Sequence, residues 1–196
     1  MNTKTTDCAG PAEKVSRRMR ASLAHQIELR SEDYLQYCVK TQPSENRHTI
    51  WSRLYAACRR LSQAVREDRV ADAVVEIASN FMACEEIAIV KCNPEIGFLA
   101  TVGISFEQRR SLISNSGRVS EELRRRNVRI VDPKVAGDEF LASLGITALV
   151  SLTHDHAIKG AIVFFGLLPQ HAGFESGDRE LLGLFSIYLG PCLFGL

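Results

Sequence analysis

The sequence lacks most of the signatures that mark an enzyme. It has no Walker-type phosphate loop, no HExxH zinc motif, no recognisable Ser–His–Asp arrangement and no carboxylates paired for general acid–base work. Its six cysteines, at 8, 38, 58, 84, 92 and 192, form no CxxC pair. None has a histidine close by, so the usual zinc spacings are excluded. No apolar run approaches the ~20 residues that span a bilayer. The polar start MNTKTTDCAG has no apolar signal-peptide segment. No membrane partner is expected, and a cytoplasmic setting with reduced thiols is. The formal net charge is only +1, which gives no reason to expect nucleic acid.

What is present suits one domain with an extension. The chain has 196 residues, 45% of them apolar, enough for a sizeable core. Charge is uneven: residues 1–67 carry 12 Lys/Arg against 7 Asp/Glu, and residues 68–196 carry 12 against 16, an arm of net +5 before a body of net −4. The arm is either an interaction segment or simply a solvated helix. Residues 1–13 are polar and small, the composition of a disordered end. Val15, Met19, Leu23, Ile27, Tyr34 and Val39 predict helix over 13–39, and Ser31 before two acids allows a second start within it. TQPSENRH (41–48) reads as a linker, so the chain divides into 1–47 and a domain over 48–196.

In the domain, Ile50, Leu54, Cys58, Leu61 and Val65 repeat at helical spacing over 49–67. Asp68 is placed to cap a second helix over 69–84. The period then changes. EIAIVKC (86–92) and FLATVGI (98–104), joined by NPEIG, read as an antiparallel hairpin. Short helices are predicted at 106–114, at 121–127 with Ser120 as cap, and at 137–145, with a strand VRIVD (128–132) between the last two. ITALVSLTH (146–154) and AIKGAIVFFG (157–166) are apolar on both faces, as central strands are. A closing helix over 179–189 is apolar nearly all round, so it needs cover on two sides: the sheet, and either the 49–67 helix or a second copy.

Taken together, VRIVDP with Asp132 at its end, the paired strands ALVSLTHDHAIKGAIVFFG, and FESGDRELLGLFSIYLG with Asp178 four residues after Phe174 resemble the GAF family over about residues 50–194. The resemblance implies an α+β domain. A central antiparallel sheet of five to six strands carries N- and C-terminal helices on one face, and short helices and loops on the other roof a small-molecule pocket. It also implies dimerisation through the terminal helices. Family ligands are diverse, and many members bind nothing known, so the cofactor is left open.

Several groups carry chemistry worth weighing. His154 and His156 share a side of an extended segment and can offer two metal ligands, or they belong to a solvated hairpin turn. The run RRRNVR (124–129) can clamp an anion, or it is the ordinary placing of cations at a helix end. Asp132 can face a ligand or cap a turn. Cys58, Cys84 and Cys192 sit in apolar patterns, as small core residues do. Reductases of GAF fold use cysteines after the second strand and in the loops beside the pocket. Residues 99–147 here contain none, which counts against thiol chemistry.

The expectation is a non-enzymatic regulatory domain that takes a small molecule in a pocket. The lining would be Phe98, Val102, Ile104, Arg118, Val131, Asp132, Leu144, Thr147 and Ser151. It would signal through a homodimer or partner interface at Ile50, Leu54, Tyr55, Leu61, Leu181, Leu184, Phe185 and Tyr188. The alternative is a ligand-free adaptor whose roof space is plugged by Phe98, Phe106 and Phe140. With no kinase, cyclase or DNA-binding helix pair among these residues, output through a separate protein is expected.

Overall fold

The computed structural model describes residues 11–41, 47–67, 69–92, 96–168 and 173–195. The Asp68 cap, most of the 41–48 linker and most of the NPEIG turn therefore lie outside the described residues, as do residues 1–10 and the side chains of Val15, Tyr34, Val39 and Trp51.

Three helices open the chain: α1 (Pro11–Thr41), α2 (Arg47–Glu67) and α3 (Val70–Met82). A hairpin of β1 (Cys84–Cys92) and β2 (Ile96–Val102) follows, then α4 (Phe106–Ser114), α5 (Ser116–Arg125), β3 (Val128–Ile130) and α6 (Glu139–Ser143). The chain closes with β4 (Ala148–His154), β5 (Ala157–Leu167) and α7 (Ser176–Phe194). The strands form one sheet in the order β2-β1-β5-β4-β3, antiparallel throughout.

Alternation along the strands divides the interior in two. Ile87, Ile89, Val150, Ile162 and Phe164 turn to one face, where α3 and α7 cover them and α2 packs on those two helices. Ala88, Val90, Leu149, Val163 and Phe165 turn to the other, under Leu112 of α4, Val119 and Leu123 of α5, and Leu141 of α6. At the β2 edge the register slips between Ile89 and Val90, so Leu99 is an extra residue that bulges outward.

Four sequence expectations need correction. α1 is one helix, with no break at Ser31. Ser120 lies inside α5, whose N-cap position is Asn115, because Val119 and Leu123 already share the buried stripe. α3 starts after Arg69, which makes no side-chain cap bond. α7 runs five residues past Leu189, through Pro191. There, burial of Cys192 and partial burial of Phe194 offset the amide hydrogen bond that proline cannot make.

The β4–β5 turn holds two non-glycine residues, Asp155 and His156, at φ 51° and 59°. Both central positions of such a tight hairpin favour glycine or asparagine. His156→Gly is therefore expected to stabilise the fold by about 0.5 kcal/mol, left-handed strain relieved less the entropy glycine adds to the unfolded chain. Thermal unfolding of the two proteins side by side checks the sign.

Candidate functional site

The helix-covered face settles the residues expected at an interface. Ile50, Leu54, Leu61, Leu181, Leu184, Phe185 and Tyr188 are all buried in the chain's own core, so they are not available to a second copy. Of that set only Tyr55, 49% exposed, reaches solvent. The second cover that α7 requires is supplied from within the chain by α2 and α3.

A buried ion pair locks this layer. Asp178 accepts from the Glu175 backbone N–H at 2.8 Å, closing the cap of α7, and from the Arg53 guanidinium of α2 at 2.6 Å. Arg53 also donates to the carbonyl of Phe81 in α3. The aspartate of the Phe174–Asp178 motif thus ties three helices together.

On the roof face, the residues expected to line a pocket do not surround one cavity. Ile104, Val131, Leu144 and Phe98 pack against the second core. Phe98 also lies under the Arg109 guanidinium, 5.6 Å from the ring centroid. Arg118 covers the Phe140 ring at 3.8 Å. Ser151 is buried and donates to the Asn127 carbonyl at 3.2 Å, and Thr147 donates to the Phe164 carbonyl at 3.1 Å. Val102 is exposed at the end of β2. Of the expected plugs, Phe98 and Phe140 contribute to the packing, but Phe106 is 77% exposed and does not.

Asp132 is the member of the set that lies in a cleft. That cleft, of about 500 Å³, sits at the β3 edge and is lined by Arg125, Arg126, Arg129, Asp132, Asp138 and Arg179, with Ile130 and Val135 as apolar wall. Its geometry follows from the register. Arg129 pairs with Leu149, so its side chain leaves the sheet on the roof face. There it donates to Glu122 of α5, to Asp138 through Nε at 2.8 Å, and to the Gly137 carbonyl at 2.6 Å. Arg125 holds the other oxygen of Glu122 at 2.8 Å. Burial would raise the Asp138 carboxyl, but the Asp132 amide N–H at 2.9 Å and the Arg129 guanidinium outweigh it and hold the carboxyl below its ordinary value.

The arginine run therefore splits: Arg125 and Arg129 are spent on ion pairs, while Arg126 stands exposed at the cleft. Arg129, Asp138 and Arg179 escaped the sequence reading as a group. The alternation of Arg129 with Val128 and Ile130 was the available signal for the first.

The histidine pair is divided by the turn. His154 lines a groove with Met19, Leu23 and Pro191, between α1 and the end of α7. His156 lines a separate cleft of about 370 Å³ with Cys92, Ser120 and Arg124. The left-handed residues between the strands send the two rings to different clefts, which corrects the shared side expected of an extended segment. Burial pushes the Cys84 thiol up to about 12, Cys92 to about 11 and Cys192 to about 12, so all three stay protonated at neutral pH.

No family model matches the chain, and no curated protein matches it. Among solved structures, residues 122 to 287 of a methyl-accepting chemotaxis protein are 12% identical, with 69% of this chain and 93% of that one covered at a TM-score of 0.48. A GAF domain/HD domain protein from Geobacter sulfurreducens is 12% identical over 66% and 96% of the two chains, at 0.46. A GAF domain from Synechocystis sp. in its photoproduct state is 16% identical over 65% and 93%, also at 0.46. Likenesses this distant carry nothing about function. The sheet order, the terminal helices on one face and the short helices on the other are the architecture the resemblance implied, and the fold of this chain is GAF-like.

Proposed function

We propose that this chain is a non-enzymatic regulatory domain of GAF-like fold that acts through its helical layer, where two copies pair. The observation that carries the reading is the set of large apolar side chains left about half exposed on three mutually packed helices: Met19 and Leu29 on α1, Tyr55 on α2 and Ile187 on α7. Scattered apolar residues are ordinary on a surface, but these four stand on helices that pack on one another, which favours an interface. α1 adds reach. At about 1.5 Å per residue, its 31 residues make a long helix packed on α2, an arm suited to passing a signal to a separate output protein.

Two further observations support the proposal. The middle of the space between sheet and roof is filled by the second apolar core, and the room left there is the cleft of about 370 Å³ at the strand ends by Cys92, Ser120 and His156, which favours contact over a ligand enclosed at the centre. Several groups of the kind a reaction uses are committed elsewhere: three of the described thiols, Cys84, Cys92 and Cys192, are held protonated, and Glu122 and Asp138 are held by Arg129.

Sedimentation velocity across the micromolar range tests the pairing. A concentration-dependent dimer is expected, and Tyr55→Glu or Ile187→Glu, each placing a charge in the interface, should weaken it at least about tenfold. Monomer at every concentration, or a dimer indifferent to both substitutions, would sink the reading.

A further inference from the structure

The pairing of helical layers makes no use of the cleft at the β3 edge. Two of its guanidinium groups close a circuit with carboxylates: Arg125 and Arg129 against Glu122 and Asp138. The other two differ. Arg126, just past α5, and Arg179, in the first turns of α7, have no ion pair or side-chain hydrogen bond among the described residues, yet both line the same cleft. Against them stand Asp132, one of whose oxygens already accepts the Lys134 backbone N–H at 2.9 Å, and Asp138, which feels the charge of Arg126 but is already held by Arg129.

With Glu122 counted, four guanidinium groups meet three carboxylates, Glu122, Asp132 and Asp138, so the cleft is left positive in a body of residues 68–196 that is net −4. Charge is thus gathered at this cleft against the trend of its surroundings. Guanidinium is the side chain best shaped to grip a tetrahedral oxyanion, with paired N–H donors and a charge that does not titrate. The cleft also has an apolar side, Ile130 and Val135. Its volume, about 500 Å³, is several times what a bare phosphate fills and falls within the range of small-molecule sites.

We propose that this cleft binds a small phosphate monoester, its phosphoryl group between Arg126 and Arg179 and its organic body against Ile130 and Val135. The two arginines stand on opposite layers, one at the end of a roof helix and the other on the closing helix of the helical layer. A ligand bridging them stabilises whichever arrangement of the two layers brings the guanidinium groups together, and so biases the packing of α7.

Isothermal titration of the full chain separates the parts of this claim. Phenyl phosphate is expected to bind at one site, inorganic phosphate more weakly and phenol not at all. Arg126→Gln and Arg179→Gln should each weaken phenyl phosphate about tenfold, the scale of one charge-assisted contact. Arg124→Gln, in a different cleft, should leave the affinity unchanged. The arginines are exposed, so these variants keep the fold. Absence of saturable heat with phenyl phosphate, or unchanged affinity in the Arg126→Gln/Arg179→Gln double variant, would overturn the assignment. Inorganic phosphate binding as tightly as phenyl phosphate would overturn the place given to the organic body. The oligomeric state is read separately, so either proposal can fail alone.

Discussion

Gly190→Ala is expected to cost about 3 kcal/mol or more, at or beyond the upper end of what overpacking by one methyl ordinarily costs. A Cβ at this position would lie 1.9 Å from the carbonyl oxygen of Thr153, 2.6 Å from its carbonyl carbon and 2.8 Å from its nitrogen. All three are backbone atoms of β4, so no rotamer change relieves the overlap. Either α7 lifts from the sheet or β4 moves, and both disturb Leu189, Phe185 and Leu152, which are buried at that contact. Urea unfolding should show a lower midpoint with the slope unchanged. Gly117→Ala is the matched control. It adds the same methyl inside α5 with nothing within 4 Å, and should stabilise by about 0.5–1 kcal/mol through helix propensity. Equal effects at the two glycines would show that close approach of α7 to β4 is not what Gly190 provides.

The contrast between these glycines shows what a sequence can and cannot carry. Apolar runs on both faces of ALVSLTH and AIVFFG are legible as central strands, because an unbroken apolar run is a one-dimensional signal. That Gly190 lies on Thr153 was not legible, since it depends on two segments meeting. The same limit governs α7. Its all-round apolar surface correctly demanded two covers, but periodicity cannot say whether the second is α2 and α3 of the same chain or another copy. The residues that this demand places at an interface are core, Tyr55 excepted.

The site was harder still. Phe98, Ile104, Val131 and Leu144 belong to strand ends and roof segments in the sequence pattern, and they lie on the roof side. Whether a roof encloses space or fills it depends on the volumes of Leu112, Leu123, Leu141 and Phe165 in three dimensions. The RRRNVR run hid a change of geometry. Arg124 to Arg126 sit at a helix end, while Arg129 belongs to a strand that turns it inward. Arg179 is 50 residues from Arg129 in sequence, and only the fold brings both to the same cleft.

Arg129→Met should destabilise by about 3–5 kcal/mol at neutral pH, the cost of leaving buried carboxylates without their cation. The Arg129 side chain is 12% exposed, and its partners Glu122 and Asp138 are 10% and 9% exposed. Arg125 still reaches Glu122, so most of the loss falls on Asp138. The pH dependence identifies the cause. In the native chain the Asp138 carboxyl is held below 3.8, so its contribution is complete above that value and is lost as pH falls through the lowered one. Without the guanidinium, burial raises the carboxyl with the Asp132 amide and the charge of Arg126 left to oppose it, and the variant takes up a proton more readily than the native protein. The penalty should therefore be largest near neutrality and shrink as pH falls toward 4. Arg129→Lys should recover only part of it, because one ammonium cannot span Glu122, Asp138 and the Gly137 carbonyl as the planar fork does. Adding Asp138→Asn to Arg129→Met should restore stability at neutral pH, since a neutral amide costs less to bury than a lone carboxylate. A penalty independent of pH, unmoved by Asp138→Asn, would mean that Arg129 contributes by packing its methylenes rather than by neutralising charge.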